Sequence, residues 1–109
     1  MKNETKKIYA VQHNYLFADA DLKRFDNLKD AIQFADDNVA FTQQDIKIYT
    51  RDKTIMMRKW YGYEFSEDEY FADYEYGKPI SYGKFGFYTG WILDDNIQPE
   101  DKKIIRDLF

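Results

Sequence analysis

The sequence predicts an α+β fold: a small, mainly antiparallel sheet with helices packed on one face. Three observations point there. Apolar residues alternate with period two in several stretches, the pattern of half-buried strands. In others they recur at i, i+3, i+4 and i+7, which is helical spacing. Two extended stretches also meet across about three polar residues, so a hairpin joins them and the order reads β-α-β-β-α-β-α. That order lacks the strict alternation of a parallel sheet. The 109 residues suit one domain, read as 1–109 with a polar leader over 1–7.

The elements follow in turn. From Ile8 to Phe17, Tyr9, Val11, Tyr15 and Phe17 share one face, opposite Ile8, Ala10 and Leu16. This is the first strand, and His13 sits on its apolar side as a structural residue. Ala18 to Arg24 has no strong period and reads as a polar loop. Asp26-Asn27 offers a cap, and Leu28, Ala31, Ile32 and Ala35 make one stripe, predicting a helix over about Leu28 to Asn38. Asp30 in its first turn favours the helix dipole. Ile46–Thr50 and Thr54–Tyr61 form the hairpin around Arg51-Asp52-Lys53. Ser66-Glu67-Asp68-Glu69 matches a capping box, so a short helix from Glu67 to Tyr74 follows. Gly83, Gly86 and Gly90 punctuate an aromatic strand from Phe85 to Leu93 and imply a bulge or close backbone approach. Pro99 opens a last helix, with Ile104, Ile105 and Leu108 expected to dock as one apolar stripe.

Composition narrows the function. No cysteine is present, which removes disulfides, cysteine-based metal sites and a thiol nucleophile. A single His excludes a His-pair metal site. Asp19-Ala20-Asp21 begins like a calcium loop, but Arg24 stands where that pattern needs Gly. Asp36-Asp37-Asn38 and Asp94-Asp95-Asn96 read as cap and turn chemistry. No residue set carries a catalytic role, and no metal or cofactor is expected. The net charge of −4 argues against direct duplex DNA binding. No apolar run suits a signal peptide or a membrane span, so a cytoplasmic protein without membrane attachment is expected.

Charge is unevenly spread. Residues 1–63 hold 11 basic and 9 acidic groups, whereas 64–109 hold 5 and 11. Glu64, Glu67, Asp68, Glu69, Asp73 and Glu75 fall in a short segment without Lys or Arg, interleaved with Phe65, Tyr70, Phe71, Tyr74 and Tyr76. Carboxylates flanking large rigid rings suit a protein interface, since tyrosines are frequent anchors and negative charge steers basic partners. The same pattern also fits a solvated helix face over an aromatic core, and the region 60–91 is open to both readings. Arg51, Lys53, Arg58 and Lys59 form a basic hairpin ending at Trp60-Tyr61, a composition that also suits single-stranded nucleic acid.

The run Glu-Phe-Ser-Glu-Asp-Glu-Tyr-Phe-Ala-Asp-Tyr-Glu-Tyr-Gly at Glu64–Gly77 resembles the acidic, tyrosine-bearing segments of small phage and plasmid inhibitors of the anti-CRISPR and anti-restriction type. That resemblance implies a non-enzymatic inhibitor that docks on a basic nucleic-acid-binding partner such as a CRISPR nuclease. The binding candidates are Glu67, Asp68, Glu69 and Asp73 for charge, with Tyr70 and Tyr74 as anchors. The alternative is a small nucleic-acid-binding or regulatory module using Arg51–Tyr61, and carboxylate-dependent hydrolysis is the third reading.

Overall fold

The computed structural model describes residues 7–13, 22–39, 43–51, 53–62 and 75–109. In chain order its elements are β1 (Tyr9–His13), β2 (Lys23–Phe25), α1 (Leu28–Asp37), β3 (Ile46–Thr50), β4 (Lys53–Arg58), β5 (Trp60–Gly62), β6 (Ile80–Ser81), β7 (Gly86–Tyr88), β8 (Ile92–Leu93) and α2 (Pro99–Leu108). A five-stranded sheet has the order β2-β1-β3-β4-β8, and a three-stranded sheet the order β5-β7-β6. Every strand pair is antiparallel. The α+β class stands, with two sheets instead of one. No helix among the described residues is long and apolar enough to cross a membrane.

Helix α1 forms where its sequence demands. Asn27 caps it, its Oδ1 accepting the Asp30 N–H at 2.8 Å. Leu28, Ala31, Ile32 and Ala35 are all buried. They share one core with Tyr9 and Val11 of β1, Ile46 and Ile48 of β3, and Ile55 and Met56 of β4. Two consecutive β4 residues turn inward because the register shifts between Ile48 and Tyr49, and such a bulge re-aims the strand.

Four expectations change. The loop before α1 contains β2, an edge strand whose only apolar residue is Phe25, paired with Tyr9 and packed on Phe34 at 5.4 Å between ring centroids. One apolar residue leaves no period to read. The second hairpin strand ends at Arg58; after Lys59 the chain enters the other sheet as β5. The strand expected from Phe85 to Leu93 is divided likewise, β7 lying in the small sheet and β8 in the large one. Its punctuating glycine has the anticipated cause: a Cβ on Gly90 would lie 2.7 Å from the Gly77 carbonyl oxygen. The helix expected over Glu67–Tyr74 and the side chain of His13 lie outside the described residues; the His13 backbone pairs with Ile46.

The fourth change concerns α2. Pro99 opens it as expected, but only Ile105 of the expected stripe is buried, whereas Ile104 and Leu108 are 37% and 36% exposed. The inward row is Asp101 and Ile105, one turn apart. Asp101 tolerates full burial because Tyr9 donates its phenol to Oδ1 at 2.5 Å and Lys7 pairs with Oδ2 at 2.6 Å. A charge-assisted pair of bonds replaces apolar contact there and ties the first strand to the last helix.

Ile105→Ala is expected to cost about 2–5 kcal/mol, and Ile104→Ala within about 1 kcal/mol, read from urea midpoints. Equal losses would place both residues in the core.

Burial, and then the bond to Asp101, push the Tyr9 phenol well above its ordinary value; Glu100 adds to this and Arg51 opposes it. The native phenol therefore stays neutral where the unfolded one ionises. Its contribution is whole below the unfolded value of about 10 and is lost as pH climbs from there towards the raised native value. Tyr9→Phe is expected to flatten the decline of melting temperature above about pH 10. A variant declining as steeply as the parent contradicts this.

Candidate functional site

All six sequence-predicted binding residues, Glu67, Asp68, Glu69, Tyr70, Asp73 and Tyr74, lie outside the described residues. Both flanks of their segment are described, and both attach to one short stretch of chain. On the N-terminal side, Gly62 at the end of β5 pairs with Gly86. On the C-terminal side, the Gly90 N–H donates to Glu75 Oε1 at 2.7 Å, and Tyr76 exchanges backbone bonds of 2.9 and 2.7 Å with Trp91. Gly86 permits the first attachment. Its φ is +142°, and a Cβ there would meet the Tyr61 carbonyl and lie 2.6 Å from the Trp60 ring.

A buried guanidinium stands behind the second attachment. Arg58, 4% exposed, donates from Nε to Asp36 Oδ1 at 3.0 Å. Its Nη1 donates to the carbonyls of Thr89 at 2.7 Å and Lys78 at 3.0 Å. The guanidinium also lies 4.9 Å from the Trp91 ring centre, and Trp91 Nε1 donates to the same Asp36 oxygen at 3.1 Å. Thr89 extends the network, its hydroxyl accepting the Lys59 N–H at 2.9 Å and donating to the Gly90 carbonyl at 2.7 Å. Arginine suits this place because its planar fork serves several acceptors while its face stacks on an indole.

Two consequences follow for the sequence-based sites. Arg58 does not belong to a basic surface, so the hairpin presents Arg51, Lys53 and Lys59 as exposed cations, with Lys59 5.9 Å from the Tyr61 ring centre. Asp36, read as cap chemistry, is instead an internal ligand. The available signal was spacing: Asp36 lies four residues after Ile32, at the edge of the buried stripe. The aromatic region 60–91 divides. Phe87, Tyr88 and Trp91 are core, Trp60 and Tyr61 are half-buried, and Tyr82 and Phe85 are exposed.

Glu75 leaves one demand unmet. Its Oε2 is buried without a hydrogen-bond partner, a cost on the order of 1–3 kcal/mol. Separately, a groove of about 620 Å³ is lined by Tyr76, Leu93, Ile97 and residues of α2. Asp94 and Asp95 line it, as do Lys102 and Arg106, one helical turn apart on α2. The Asp94 carboxylate closes its own turn by accepting the Asn96 N–H at 2.9 Å. The lining thus mixes carboxylates and cations with apolar side chains. Among the described residues, no group of three or more His, Asp or Glu is placed to hold a metal ion.

No protein-family model matches this chain, and comparison with curated proteins and with solved structures gives no match.

Asp36→Ala is expected to cost about 3 kcal/mol, because it strands a buried guanidinium. Arg58→Lys should lose nearly as much, since an ammonium cannot serve the same spread of acceptors. Chemical denaturation checks both, and a loss below about 0.5 kcal/mol for Asp36→Ala would show the pair to be dispensable.

Proposed function

We propose that the protein is a non-enzymatic protein–protein interaction module, a phage or mobile-element inhibitor acting in the cytoplasm. It docks the acidic, aromatic segment around Glu67–Tyr74 on a basic nucleic-acid-binding partner such as a CRISPR nuclease. The supporting observation is the double attachment of that segment. Its two flanks are fixed at Gly86 and at Gly90-Trp91, only a few residues apart in one strand and its continuation. Tethering both ends lowers the conformational freedom to be surrendered on binding. The carboxylates would take the place of phosphates at the partner's Arg and Lys, and Tyr70 and Tyr74 would fill neighbouring pockets.

The basic-hairpin alternative has less support. With Arg58 buried against Asp36, the Arg51–Tyr61 hairpin retains three of the four cations that suggested it.

The test is a triple reversal, Glu67, Asp68 and Glu69 to Lys. Tagged protein should retain a basic nucleic-acid-binding protein from lysate, and added duplex oligonucleotide should displace it. The triple variant should melt like the parent, within about 0.5 kcal/mol, yet associate more slowly and lose retention, most clearly at low salt. Tyr70→Ala and Tyr74→Ala should instead accelerate dissociation. Normal retention by the triple variant sinks the proposal.

A further inference from the structure

We propose that the outer face of the five-stranded sheet is a platform for single-stranded nucleic acid. This stands apart from the acidic segment and holds whether or not that segment binds a partner.

The strand register builds the platform. Val11, Ile48 and Met56 point into the core, so their neighbours in sequence face the other way, Ile55 at the bulge excepted. Cross-strand pairing sets these outward residues in two rows. One row is Arg24, Ala10, Tyr49 and Thr54; the next is Gln12, Lys47, Met57 and Ile92. None belongs to the core cluster, which α1 and α2 join from the opposite face through Leu28, Ala31, Ile32, Ala35 and Ile105. The Tyr49 hydroxyl bridges the rows by donating to Gln12 Oε1 at 2.8 Å.

Charge selects the occupant. The five strands contain no Asp or Glu, so this face is positive within a chain of net charge −4. Each row carries one cation. Arg24 and Lys47 have no ion-pair partner among the described residues, whereas Lys7, Arg58 and Lys103 each pair with a carboxylate. Ala10 and Gln12 of β1 lie between the strands that carry the two cations, Tyr49 stands two residues from Lys47 on β3, and Thr54 and Met57 follow on β4. Unpaired bases offer flat faces to the ring and edges to the amide and hydroxyl, while their phosphates meet the cations. A duplex keeps its base faces inside its own stack and would leave the ring without a partner. An acidic polypeptide would use the two cations but leave the ring without a role.

Fluorescence anisotropy with labelled oligo(U) and oligo(dT) of about twelve nucleotides tests this. Binding is expected to weaken with salt at a log–log slope of roughly −1.4, from two phosphate contacts. Arg24→Glu and Lys47→Glu should each remove about half of that slope. Tyr49→Leu should weaken binding about five- to a hundredfold, while Tyr49→Phe, which keeps the ring, binds as the parent does. The proposal is overturned by absent binding at low salt or by a slope that neither reversal changes. It is equally overturned if polyglutamate of matched length displaces the oligonucleotide as well as unlabelled oligo(dT) does, which would make an acidic protein the occupant. Should Tyr49→Leu fail to fold, amide shift mapping of the parent decides: changes at Gln12, Lys47, Tyr49 and Met57 support the platform, and changes confined to α1 and α2 refute it.

Discussion

The Arg58 guanidinium is the point on which the two sheets and the first helix meet. It leaves β4 of the large sheet, binds Asp36 at the end of α1, and serves the carbonyls of Lys78 and Thr89 at one end of the β6–β7 pair. Trp91 covers one face of it and shares its carboxylate. A cation this deep in a small protein is tolerated only when its donors are satisfied, because desolvation of a bare charge exceeds what local attraction returns. Satisfying them fixes the mutual placement of α1, β4 and the chain around Thr89. The small sheet holds its position through this hub and through Tyr88 and Trp91 in the core.

A second polar joint works at the far end of the chain. Asp101 receives Tyr9 and Lys7, so the first strand and the last helix share a buried carboxylate. Both joints put directional bonds where a larger protein would place apolar side chains. Such bonds add specificity of arrangement, since an Arg or Tyr must meet its acceptor at one distance and angle. The unmet Glu75 oxygen shows the other side of that choice, a polar group sequestered without return at the foot of the acidic segment.

Charge is divided along the chain. The strands of the large sheet hold cations and no Asp or Glu, whereas the sequence from Glu64 to Tyr76 holds only anions. The net charge of −4 therefore describes neither stretch by itself.

Local pattern was sufficient for α1, with its cap at Asn27 and four buried stripe residues, for the β3–β4 hairpin, and for the start of α2 at Pro99. In each, neighbours within one or two turns settle the conformation, and the sequence alone determined them along with the α+β class. Tertiary structure decided the rest. It split Phe85–Leu93 between sheets, drew Arg58 inside against a half-buried Asp36, and chose Asp101 over Ile104 and Leu108 as the inward neighbour of Ile105. The physical reason is common to the last two. A charged side chain is buried only if its partner arrives from another part of the chain: Asp36 is 22 residues from Arg58, and Tyr9 is 92 from Asp101. Periodicity reports where apolar surface lies along one element, and is silent about a partner supplied by another.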